Sequence, residues 1–107
     1  MSDFNLKDLE SIIEQRASEG KADSWTVKLM SKGIEKAAEK LGEEAIETVV
    51  AAVAKDAVEV RNEAADVLYH LLVVLHMKGV SVDDVMAELE CRTAQSGISE
   101  KASRLKD

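Results

Sequence analysis

Between Glu43 and Asp66 the chain carries two acidic pairs with one spacing, Glu44/Glu47 and Glu63/Asp66. Residues three apart lie on one face of an α-helix, one turn from each other. The pairs are also placed symmetrically about Lys55: Glu47 and Glu63 each lie eight residues away, and Glu44 and Asp66 eleven. A chain reversal at Lys55-Asp56, as an antiparallel helix hairpin, would bring Glu47 level with Glu63 and Glu44 level with Asp66. At the helical rise those levels are about 12 and about 16 Å from the turn. Four carboxylates at matched height make a candidate site for a hard divalent cation. The competing reading is a solvated acidic face, on which Lys40 and Glu44 form an ordinary ion pair. Carboxylates crowded between helices repel one another, so a cation gives a physical reason for their placement.

Composition supports the helical premise. There is no proline, and the aromatics are Phe4, Trp25 and Tyr69. Ala, Val, Leu, Glu and Lys predominate, which points to an all-α protein, an antiparallel bundle of about five helices. The 107 residues fit one domain, 1–107. A lone chain of that size has a modest core, so completion of the core by homodimerisation is expected. The formal charge of −7 argues against a nucleic-acid partner, which would require a basic surface. A single cysteine, Cys91, allows no internal disulfide; it is expected to be partly buried on a helix, in a reducing compartment. The N-terminus lacks a basic segment followed by an apolar run, and the longest apolar run, Leu71 to Leu75, is too short for a bilayer. A soluble, cytoplasmic protein without a membrane partner is therefore expected.

Capping signals and apolar periodicity place the helices. The first is expected from Leu6 to Glu19, capped by Asn5 with Asp8 and stopped by Gly20. A short second helix, Trp25 to Lys32, follows Ser24 or Asp23 as cap. Beyond Gly33 a third spans Ile34 to Ala54, with Ile34, Ala37, Ala38, Leu41, Ala45, Val49 and Ala52 as its inward stripe. Gly42, inside it, serves either tight packing or ligand room. Asp56 and Glu59 cap a fourth helix, Ala57 to Lys78, with the stripe Val60, Ala64, Val67, Leu68, Leu71 and Leu75. Val73 and Val74 widen that stripe, which predicts a dimer contact. Ser81 with Asp84 caps a fifth helix, Val82 to Ala94. After Gly97 the segment 96–107 is net basic, through Lys101, Arg104 and Lys106; by charge alone it reads as a solvated end.

Angular placement at 100° per residue sets Glu44 about 60° and Glu47 about 120° from Leu41, with Lys36 and Lys40 on the same flank. Glu63 and Asp66 share a flank of the next helix with His70. Glu43 falls about 200° from Leu41 and points away. His70, one turn past Asp66, is a candidate to hold a carboxylate in place or to ligate directly. Oxygen ligands suit Mg²⁺ or Mn²⁺, whereas zinc would want more His or Cys. The chemistry that fits is metal-assisted phosphoryl transfer, with Lys36 and Lys40 stabilising charge on phosphates. No phosphate-binding glycine loop is present.

Glu43-Glu44-x-x-Glu47 followed by Glu63-x-x-Asp66 resembles the signature of the all-α, MazG-like nucleoside triphosphate pyrophosphohydrolases. Four further stretches narrow the resemblance: Ser24-Trp25-Thr26-x-Lys28-Leu29, Lys40-x-Gly42-Glu43-Glu44, Glu63-Ala64-Ala65-Asp66-x-Leu68-Tyr69-His70-Leu71-Leu72-Val73, and Gly97-x-x-Glu100-Lys101-Ala102-Ser103-Arg104. Together they are similar to the phosphoribosyl-ATP pyrophosphohydrolase family of histidine biosynthesis. That resemblance implies a helical-bundle homodimer and Mg²⁺-dependent hydrolysis of phosphoribosyl-ATP to phosphoribosyl-AMP and pyrophosphate. It implies Glu44, Glu47, Glu63 and Asp66 as catalytic metal ligands; Glu43 belongs to the motif, but its angle leaves it a supporting residue or a contact to another chain, and His70 stays a supporting residue by its position. Lys28, Lys101 and Arg104 join Lys36 and Lys40 as candidate substrate contacts. The chain length implies the stand-alone form rather than a fusion. The alternatives are a house-cleaning hydrolase of other nucleoside triphosphates and a non-catalytic helical interaction module.

Overall fold

The computed structural model describes residues 3–94 as five helices and no strand. They are α1 (Leu6–Glu19), α2 (Trp25–Ser31), α3 (Ile34–Ala54), α4 (Ala57–Met77) and α5 (Val82–Thr93). Each boundary has a local cause. Asn5 and Asp8 form a reciprocal capping box at α1, and Ser81 and Asp84 form another at α5. Ser24 accepts from the amide of Val27, and Asp56 from that of Glu59. Gly20 ends α1 at φ 64°, a left-handed conformation in which a side chain would be strained. Gly33 precedes α3 at φ 93°, letting α2 turn directly into α3.

α3 and α4 are long antiparallel neighbours joined across Lys55-Asp56, and they pack on each other more extensively than any other pair. The main core lies toward the other end of this hairpin. There Ile13, Leu29, Ala37, Leu72, Val73 and Val82 cluster, drawn from all five helices. α5 is held onto α1 by polar contacts as well. Glu10 Oε2 accepts from the Val82 amide at 2.7 Å, and Lys7 pairs with Asp83 at 3.3 Å.

Several expected faces are corrected by this packing. On α3 the inward line is Ala37, Leu41, Glu44, Thr48 and Ala51, whereas Ala38, Ala45, Val49 and Ala52 are exposed. The apolar count favoured the wrong line because it left Glu44 and Thr48 out of the interior. On α4, Leu68 is exposed and Val73 is fully buried inside its own chain. The α3–α4 hairpin instead leaves open Ile46, Val49, Val50 and Val53 of α3 with Val58 of α4. Cys91 is exposed rather than partly buried. Nothing would meet a Cβ at Gly42 within 4 Å, so tight packing within the chain does not explain that glycine. No single helix among the described residues is long and apolar enough to cross a membrane.

Truncating the core should be costly. Leu29→Ala, at a fully buried site, is expected to lower unfolding free energy by about 2–5 kcal/mol. Asn5→Ala, which removes one cap, should cost only about 1 kcal/mol. Urea denaturation of the two variants checks the order.

Candidate active site

The hairpin register brings the mirrored acids together. One carboxylate oxygen from each of Glu44, Glu63 and Asp66 lies within 4.8 Å of the other two. Glu44 projects from the inward line of α3, and Glu63 and Asp66 from α4 opposite. Glu44 and Glu63 are half-buried, while Asp66 is exposed, so the group sits in a cleft that opens to solvent on one side. Glu47 stands at the edge of this triad, close enough to share a proton with either Glu44 or Glu63.

The electrostatics follow from that crowding. Burial pushes the Glu44 carboxyl above its ordinary value of 4.5, and the Glu47 carboxyl and the Asp66 charge push it further; His70 acts the other way. Glu63 is raised by the same sequence of causes, burial first and then Glu47, Asp66 and Glu44. Two ionised carboxylates have no proton to share, and Glu63 Oε2 is then buried with no donor among the described residues. A buried anionic oxygen without a partner is a large penalty unless a proton or a cation meets it. The donor set and this orphaned oxygen both fit a hard divalent cation.

His70 is 6% exposed. Its Nδ1 lies 2.7 Å from the backbone carbonyl of Asp66. A carbonyl only accepts, so Nδ1 carries the hydrogen and donates. The other ring nitrogen, Nε2, is buried and without a hydrogen-bond partner among the described residues. The Tyr69 and His70 rings meet edge to face at 5.2 Å between centroids. Tyr69 in turn shares a hydrogen bond between hydroxyls with Thr26 of α2, which is completely buried.

The basic candidates divide. Lys40 pairs with Glu43 at 3.2 Å, not with Glu44 as the i, i+4 spacing suggested. That hydrogen bond and charge raise the Lys40 ammonium above 10.5, with Glu44 and Glu47 adding to the effect. Glu43 thus holds Lys40 on the flank of the hairpin. Lys36 pairs with Glu39 at 3.2 Å. Lys28 is exposed on α2. Lys101 and Arg104 lie outside the described residues. The sequence reading passed over the Thr26–Tyr69 bond. Its available signal was a threonine on the same side of a short helix as Leu29, where a hydroxyl must find a partner.

An all-α bundle whose central helix hairpin gathers carboxylates from both arms defines the class: a helical protein with an acidic centre. Comparison with known proteins gives the family. The family model described as "Phosphoribosyl-ATP pyrophosphohydrolase" matches residues 6–93. The phosphoribosyl-ATP pyrophosphatase of Rhizobium johnstonii is 60% identical over 104 residues, covering 97% of both chains. Those of Methylobacterium radiotolerans and Agrobacterium fabrum are 58% and 56% identical over 104 residues, with the same coverage. The chain belongs to the phosphoribosyl-ATP pyrophosphohydrolase family.

The raised carboxyls give a pH dependence of stability with a definite sign. A folded state that holds its protons more tightly than the unfolded chain gains stability at low pH. That gain is lost as pH rises through the folded values. In chelator, the wild-type melting temperature should therefore fall relative to that of Glu63→Gln as pH rises above the ordinary carboxyl value of 4.5. Parallel melting curves for the two proteins would show that the carboxyls do not interact.

Proposed function

We propose that this protein hydrolyses phosphoribosyl-ATP to phosphoribosyl-AMP and pyrophosphate, the second step of histidine biosynthesis, using Mg²⁺ or Mn²⁺. The observation that carries this reading is the gathering of Glu44, Glu63 and Asp66 within 4.8 Å across the hairpin, in a chain that belongs to this family. Those three residues, with Glu47 at their edge, would hold the cation. When bound, such an ion neutralises phosphate charge and lowers the pKa of water in its shell.

The chain's own residues supply the rest. Water cleaves one phosphoanhydride bond, and the proton it loses passes to a carboxylate of the centre. Lys40, kept charged by Glu43, offers positive charge to phosphate oxygens beside the acids. Lys36 and Lys28 extend that positive border, and Lys101 and Arg104 are proposed to join it. The hydrogen bond from His70 Nδ1 to the Asp66 backbone carbonyl fixes the imidazole one turn from Asp66, where its charge is felt by Glu44.

The protein is also proposed to act as a cytoplasmic homodimer. Val53 is 85% exposed, and it continues the open apolar line of Ile46, Val49 and Val50. A contiguous apolar strip of that kind on a helix is a surface that association covers. The formal charge of −7 supports a small-molecule substrate over nucleic acid.

Glu47→Gln and Glu63→Gln should each lower pyrophosphate release from phosphoribosyl-ATP by roughly 100-fold or more, with the helical circular-dichroism spectrum retained. Assay of wild type against ordinary nucleoside triphosphates separates this substrate from a broader hydrolase. Retained activity in both variants would remove the site. Val50→Asp should convert the dimer to a monomer by light scattering, because an unpaired charge would then enter an apolar contact. An unchanged mass would place the dimer contact elsewhere.

A further inference from the structure

The exposed side of α2 that carries Lys28 also carries two residues to which the proposed centre gives no role, Trp25 and Lys32. Trp25, Lys28 and Lys32 recur at i, i+3 and i+7, so they share a side of that helix and its C-cap. Trp25 is 46% exposed, and both lysines are exposed. The Lys32 ammonium lies 5.9 Å from the centroid of the indole, within reach of a cation–π contact. Neither Lys28 nor Lys32 forms an ion pair among the described residues, whereas Lys36 and Lys40 each do. On a chain with formal charge −7, two uncompensated cations beside an open aromatic face form a distinct chemical patch.

The adjoining side of α2 fixes where this patch sits, since Leu29 lies four residues, or about 40° of helix, from Trp25. Thr26 and Leu29 are buried, and the Thr26 hydroxyl bonds to that of Tyr69. Tyr69 lies on α4 three residues past Asp66, a rise of about 4.5 Å. α2 is therefore clamped to the same stretch of α4 that supplies the acidic centre. A nucleoside triphosphate separates its base from its outer phosphates by the length of the ribose and the phosphate chain. An element packed beside the acidic centre, as α2 is, can therefore reach the base while the centre holds the phosphate chain.

We propose that Trp25 stacks on the purine base of the nucleotide substrate, with Lys28 and Lys32 countering phosphate charge beside it. The inference rests on the function proposed above, and it adds the residue that selects for a base. Base–aromatic stacking needs an open π-face, and neighbouring cations add to nucleotide binding; the half-exposed Trp25 with Lys32 beside it presents both.

Trp25 is the only tryptophan, so its fluorescence reports on the full-length protein directly. ATP with Mg²⁺ should quench it saturably, whereas inorganic tripolyphosphate with Mg²⁺ should not. Trp25→Leu should raise KM for phosphoribosyl-ATP by about 5- to 100-fold with a much smaller change in kcat, and Trp25→Phe should restore most of the loss. Equal quenching by tripolyphosphate, an unchanged KM in Trp25→Leu, or conversion of Trp25→Leu to a monomer would each overturn the proposal. The two readings fail separately. Wild-type turnover with an unchanged KM in Trp25→Leu removes the stacking alone. Quenching by ATP in a wild type that releases no pyrophosphate from phosphoribosyl-ATP removes the proposed reaction and leaves the stacking in place.

Discussion

Mutual repulsion among Glu44, Glu63 and Asp66 is the constraint around which the rest of the molecule is arranged. Three carboxylate oxygens within 4.8 Å would drive α3 and α4 apart at the middle of the hairpin if nothing else held them. The hairpin is closed at both ends instead. Ala51, fully buried, lies near the turn, and Ala37, Leu72 and Val73 lie in the core at the far end. The cleft between them holds charges that neither helix would bury alone. The Glu44 and Glu63 carboxyls are pushed up by burial first and by their acidic neighbours second, and a divalent cation would offset both.

Most of the fold could be read in the residues, because its signals are local. Caps at Asn5, Ser24, Asp56 and Ser81, and left-handed glycines at Gly20 and Gly79, depend on neighbours a few positions away. The acidic centre was legible for a related reason: two i, i+3 pairs equidistant from a turn need only helical geometry to meet. Facing directions were harder. Ala45 and Val49 look more like core residues than Glu44 and Thr48 do, yet the latter face inward. Hydrophobic periodicity assumes that interiors are apolar, and it fails where an interior is built to hold charge. The pairing of Lys40 with Glu43 rather than Glu44 is a second instance. Spacing permits both pairs, and only the packing of Glu44 against α4 decides between them.

Long-range polar contacts left the weakest trace in the sequence. Thr26 and Tyr69 are separated by 43 positions, and no periodicity links them. Their bond nevertheless connects the short α2 to the helix that carries Glu63 and Asp66 of the acidic centre. The buried Thr26 hydroxyl adds directional restraint to the apolar contact made by Leu29. α2 has only seven residues, too few to be a stable helix alone, so its position depends on these contacts.

The equal arms of the α3–α4 hairpin also carry an evolutionary consequence. Each carboxylate is located by its count from Lys55-Asp56, and each inserted residue would turn the following helix by about 100°. One added or lost residue in either arm would swing an acidic pair out of the cleft while leaving a good amphipathic helix behind. The stretch between Glu44 and Asp66 should therefore tolerate changes of residue type far better than changes of length. In a set of related chains, gaps would fall before Glu44 or after Asp66, and the interval between them would act as a molecular ruler.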